Sequence, residues 1–152
     1  MDSGFHRGGL RDYRKFFTAV AKECAEWIEK DVTWNTPGGE DGLSRAEYYN
    51  HMRKGSKVPD TSQPMRCSGL IAYYNSVRSF AGVIDNPLTM SVIEEWQRHT
   101  YVSLERWERE CLFAMDRALR RAYSDVVRYH GERKQVKVLM AGKDKDWKRA
   151  NG

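Results

Sequence analysis

Between Leu88 and Gly131 the chain contains neither proline nor glycine, and this uninterrupted stretch constrains the fold more than any other feature. Within it Ile93, Trp96, Thr100, Leu104, Trp107, Cys111, Ala114, Ala118, Ala122 and Val126 recur in steps of three or four. Such steps place them on one stripe of a 3.6-residue helix. Ser91-Val92-Ile93-Glu94 has the pattern of a capping box, and Gly131 that of a helix stop. The spacing predicts a single helix over 89–130, spanning about 60 Å at the usual rise per residue. A chain of 152 residues forms no compact globule that wide. The rod must therefore lie along a long bundle, a neighbouring subunit or an extended ligand. Assembly or binding fits that better than catalysis.

The rest of the chain also reads as helical. Leu10 to about Lys30 carries Tyr13, Phe16, Phe17, Val20, Cys24, Trp27 and Ile28 on one side of a first helix. Thr36-Pro37-Gly38-Gly39 breaks it as a turn or loop. Ser44-Arg45-Ala46-Glu47 is a second capping box, opening a short helix that ends near Gly55, and residues 55–64 form a loop. Residues 64–81 form a helix using Leu70, Tyr73, Tyr74, Val77 and Phe80; Gly82 ends it, and the Asp85-Asn86-Pro87 turn leads to the rod. Gln135 to Met140 alternates weakly, as a short strand would. The expected architecture is one all-α domain over 1–152, bundle-like, with a long helix in its C-terminal half and flexible basic arms at about 1–9 and 141–152. A bundle needs four roughly parallel segments to close its core, and this chain is short of that. Exposed apolar surface should be left over.

Composition sharpens this expectation. Aromatics make up 12% of residues while Leu and Ile are scarce, so the chain has few branched aliphatics for a self-contained core. Aromatics also dominate interfaces. Trp27, Tyr73, Phe80, Trp96 and Trp107 are the candidates for core and subunit packing. The net charge is +5, concentrated at the two ends: eleven Lys or Arg against four acids from Arg117 onward, and five against Asp12 from Arg7 to Lys22. Cys24, Cys67 and Cys111 are odd in number and far apart, and Cys24 and Cys111 fall on apolar stripes, where inert buried thiols sit. No signal peptide and no run of about 20 apolar residues is seen, so no membrane span is expected.

Signs of chemistry are sparse. Glu95 and His99 lie four apart on one helical face, but no second pair completes a metal site. Glu94–Arg98, Glu105–Arg109, Arg106–Glu110 and Asp116–Arg120 all stand at i,i+4, which reads as ordinary pairing on a solvated face. Gly38-Gly39-Glu40-Asp41-Gly42 is glycine-rich but acidic, which repels phosphate. No nucleophile elbow, Walker loop or dinucleotide fingerprint occurs. The expectation is a protein with no catalytic residues, no metal and no cofactor.

Cations interleaved with aromatics are the stronger lead. Arg11, Arg14 and Lys15 alternate with Tyr13, Phe16 and Phe17 and share the face opposite the apolar stripe. Arg117, Arg120, Arg121 and Arg128 form a similar ridge, continued by Arg133 and Lys134. With Arg7 these are the candidate phosphate contacts. Phosphate neutralisation of this kind gives affinity without sequence choice. The arm Arg7-Gly8-Gly9 leading into Tyr13-Arg14-Lys15-Phe16-Phe17, then Gly69-Leu70-Ile71-Ala72-Tyr73-Tyr74 followed by Asn86-Pro87, resembles the coat proteins of filamentous and rod-shaped archaeal viruses. That resemblance implies helices wrapped around duplex DNA through backbone contacts, an oligomer of similar subunits, no enzyme activity and a place in the virion. The leading expectation is thus a self-assembling, nucleic-acid-binding structural protein. Its rival is a small helical interaction protein, a phage-type inhibitor or adaptor, docking on a host protein inside the cell.

Overall fold

The computed structural model describes residues 3–138, with side chains from Tyr13 onward. Its helices are α1 (Ser3–Asn35), α2 (Arg45–His51), α3 (Ser68–Ala81), α4 (Met90–Thr100) and α5 (Arg106–Glu132), with single 3-10 turns at Gly55–Lys57 and Met65–Cys67. The fold is all-α, with a long helix in its C-terminal half. Among the described residues the one β-type contact is an isolated bridge between Gly38 and Leu43.

The two long helices run parallel. Phe17 stacks on Trp107 with ring centres 4.2 Å apart. Further along, Glu29 meets Arg121 at 3.4 Å, and the Thr36 carbonyl accepts from His130 Nε2 at 3.0 Å. Residue numbers rise together on both helices. Parallel neighbours cannot be joined by a tight turn, so the intervening segment has to travel back along the pair. That return path builds the rest of the core: α3 supplies Leu70, Ile71, Tyr74 and Val77, and α4 supplies Ile93 and Trp96. They meet Val20, Cys24 and Ile28 of α1 and Leu112, Met115 and Ala118 of α5. Ile71, Ile93, Leu112 and Met115 are fully buried, each worth about 1.5–3 kcal/mol. Small and sulfur-bearing side chains fill the positions that scarce aliphatics leave open.

A buried polar node fixes the α3–α4 connection. One Asp116 carboxylate oxygen accepts from Tyr74 Oη at 2.9 Å and from Arg78 Nη1 at 2.8 Å; the other accepts from the Leu88 amide at 2.9 Å. Arg78 Nη2 in turn donates to the carbonyls of Val83 and Asn86. Asp116 therefore does not face solvent beside Arg120, as its i,i+4 spacing predicts. Of the four such pairs read from the sequence, only Arg106–Glu110 forms among the described residues.

The predicted 60 Å rod is broken. The chain turns at Tyr101, which adopts a left-handed φ of 57°, and runs non-helical to Glu105. Thr100-Tyr101-Val102-Ser103 is a run of weak helix formers, and Thr100 Oγ1 bonds back to the Trp96 carbonyl at 2.8 Å. Tertiary contacts complete the break. Leu104 drops into the core, its amide held by Gln97 Oε1 at 2.9 Å and its carbonyl by Arg109 Nη1 at 2.7 Å. A reciprocal cap between Glu105 and Glu108 then restarts the helix.

Other boundaries shift for local reasons. The α4 cap is Thr89, accepting from the Val92 amide, rather than Ser91. Gly131 lies inside the last turn of α5, which ends at Glu132. The arm expected at 1–9 is helical from Ser3, whereas the tail 141–152 lies outside the described residues. Residues 135–138 form no strand, and the remainder of that expected strand is likewise outside. The Ser44–Glu47 capping box forms as the sequence predicts.

Candidate functional site

The predicted cation ridge does not survive as one row. Arg133 is the clearest correction: its side chain is only 5% exposed, and its two terminal nitrogens each lie 2.6 Å from an Asp41 oxygen. Its guanidinium also covers the Tyr48 ring at 4.5 Å. Arg121 reaches Glu29, Arg128 pairs with Asp125 one turn back at 3.2 Å, and Arg120 extends toward the Asp85 carbonyl at 3.5 Å. Lys15 and Lys134 are exposed. Arg7 and Arg11 lie on α1, with side chains outside those described. Arg14 and Arg117 both line one groove, from facing helices.

Between them runs a groove of about 770 Å³ along the α1–α5 seam. Arg14, Phe17, Thr18 and Ala21 form its α1 wall; Arg106, Trp107, Glu110, Ala114 and Arg117, with the capping residue Glu105, form the α5 wall. The stacked Phe17 and Trp107 rings close one end, and Trp107 is held by its indole N–H donating to Glu105 Oε2 at 2.8 Å. Ala21 and Ala114 leave the middle shallow and apolar. Beyond the aromatic end Tyr13 and Phe16 stand 63% and 49% exposed. The sequence puts these two rings on a buried stripe, but the break at Tyr101 delays the start of α5 to Arg106. Given the pairing of residue 17 with 107, the turns of α1 before Phe16 have no α5 residue opposite.

The other packing candidates divide. Trp96 is buried, with its indole N–H on Ser76 Oγ at 2.9 Å, and Tyr73 packs edge-on against it. Trp27 is half-buried and donates to the Thr61 carbonyl at 2.9 Å. Phe80 lies outside the core, 41% exposed beside His99, because the α3 stripe outlasts its partner. His99 Nδ1 contacts the Glu95 carbonyl, not its carboxylate.

Opposite the groove, the same seam is sealed by Cys24, Cys67 and Cys111 from three separate elements, all buried and free. Burial pushes the Cys24 thiol well up, helped by its hydrogen bond with the Cys67 thiol, and pushes Cys111 up to about 11. A thiol is nucleophilic only as thiolate, so Cys24 and Cys111 are inert in the folded chain, and Cys67 is closed off from solvent beside them. Ellman's reagent should find no fast-reacting thiol in the native protein and three in urea; one fast native thiol would mean that the seam opens. Among the described residues no group of His, Cys, Asp and Glu is arranged to hold a metal ion, and no helix is long and apolar enough to cross a membrane.

Two of the phosphate contacts foreseen in the sequence, Arg14 and Arg117, thus line a groove whose aromatic end sequence reasoning missed. The only signal was the mismatch between an aromatic-rich stripe and too few helices to cover it. A family model described as phage tail assembly chaperone matches residues 61–121, less than half of the chain. No curated protein and no solved structure matches. The likeness is to phage proteins, not to archaeal virus coat proteins. It takes in α3, α4, the Asp116 node and the α5 wall of the groove, and leaves α1 outside.

Proposed function

We propose that this chain is a non-enzymatic assembly chaperone of a phage tail, which binds another tail protein and keeps it competent to assemble. The family match over 61–121 carries this reading. The fold supports it physically: a chaperone of this kind needs apolar surface that its own chain does not cover, and the groove with Tyr13 and Phe16 supplies it. Arg133, held in a buried pair with Asp41, is withdrawn from any phosphate contact, which favours a protein partner over a polyanion.

Co-expression with the structural tail proteins of the phage that encodes it tests the proposal. One of them should co-elute with the chain in size-exclusion chromatography, at an absorbance ratio typical of protein, and should aggregate when expressed alone. Large particles rich in nucleic acid, or no retained tail protein, would sink the reading.

A further inference from the structure

We infer that the α1–α5 groove is the seat of an amphipathic helix from the partner, with carboxylates near both ends of its apolar face. This rests on the assembly-chaperone reading and names the chemistry of the partner at that site.

The seam between two parallel helices has two sides. One is filled by the turn at Cys67 and by α3, leaving Cys24 and Cys111 buried. The other is the groove, so the position that a further helix would take in a bundle is vacant. Its walls use residues 14, 17, 18 and 21 of α1 and 107, 110, 114 and 117 of α5. Steps of three and four mean that the groove follows the helix ridges, the surface into which another helix packs. Alanines at its middle allow close approach.

Charge then selects the occupant. Arg106 is paired with Glu110, and Glu105 is engaged by the Trp107 indole. Arg14 and Arg117 make no ion pair among the described residues, and with Glu105 still anionic the lining carries three cations against two carboxylates, a net positive charge. Taking the level at which Phe17 meets Trp107, Arg14 stands beside residue 104, about 20 Å along the seam from Arg117. Two cations at opposite ends of an apolar floor match an acid-ended amphipathic helix of three to four turns. A phosphate backbone would need a continuous row.

The test tiles the tail proteins of the phage as overlapping 15-residue labelled peptides and measures fluorescence anisotropy with the full-length chain. Binding should be confined to peptides with an apolar i,i+3/i+4 stripe and acids near both ends. The double reversal R14E/R117E should weaken it about tenfold and admit peptides carrying Lys in place of the acids. Ala114→Trp, which fills the floor, should abolish it, with helicity and urea midpoint preserved as the control for folding. Equal binding of acidic and basic peptides, or displacement of the peptide by duplex DNA, would overturn the inference. So would a complex with an intact tail protein that survives both sets of substitutions; in that case the chaperone reading stands and only the groove is wrong.

Discussion

Asp116→Ala should cost about 3–5 kcal/mol, a large part of the total stability of a domain this size. The carboxylate is buried, and each of its partners depends on it. Tyr74 Oη and the Leu88 amide would be left as buried donors without acceptors. Arg78, with a side chain only 12% exposed, would keep its charge and lose its counter-ion. The damage should spread along the connection 82–89, because Arg78 also pins the carbonyls of Val83 and Asn86. Leu88 would then leave the core. Urea unfolding followed by circular dichroism measures the loss, and hydrogen exchange should show protection falling first at α4. Asp116→Leu combined with Arg78→Met and Tyr74→Phe removes the charges and donors together, and should recover most of the stability, since an apolar cluster of similar volume avoids the desolvation cost. A loss below about 1 kcal/mol for Asp116→Ala would show that the node contributes little beyond its packing.

That node also marks where sequence reasoning stops. Helical periodicity correctly places Tyr74 and Val77 inside, because a stripe on a helix is a local signal. Asp116 sits on the same helix as Arg120 at a favourable spacing, and nothing local says that Arg78, thirty-eight positions earlier, will claim it. The break at Tyr101 is similar. No glycine or proline announces it, and it is enforced by Gln97 and Arg109 binding the Leu104 backbone once the core has formed. The capping box at Ser44 was legible because both of its bonds lie within four residues. The groove was half legible. Too few helices for too many aromatics predicts uncovered surface, but which rings stay uncovered depends on where α5 begins.

The second large effect is expected at the other end of the long pair. Asp41→Asn should destabilise the chain by about 3–5 kcal/mol at pH 7, because it leaves the Arg133 guanidinium, with its side chain only 5% exposed, without a counter-ion. Asp41 accepts both Arg133 terminal nitrogens together with the amides of Leu43 and Val136, at 3.0 and 3.1 Å, and its side chain is fully buried. The Arg133 guanidinium, and then those two amides, hold the carboxyl far below its ordinary 3.8 against the opposing effect of burial. The sign follows from the direction. A carboxyl depressed in the folded state contributes stability that is complete above its unfolded value and fades as pH falls through the folded one. The gap in stability between wild type and Asp41→Asn should therefore be constant from pH 8 to about 5 and shrink steadily below about 4. Urea midpoints taken across that range supply the curve. A gap unchanged down to pH 2.5 would mean that Asp41 does not titrate with unfolding, and that the glycine loop is held by its backbone bonds alone. Because Thr36–His130 and Phe17–Trp107 mark opposite ends of the parallel pair, this clamp lies about 20 Å from the near end of the groove at Arg117 and about 30 Å from its aromatic end. Asp41→Asn should accordingly lower stability while leaving peptide binding of the folded fraction unchanged, and a parallel loss of both would mean that the two ends of the pair are coupled.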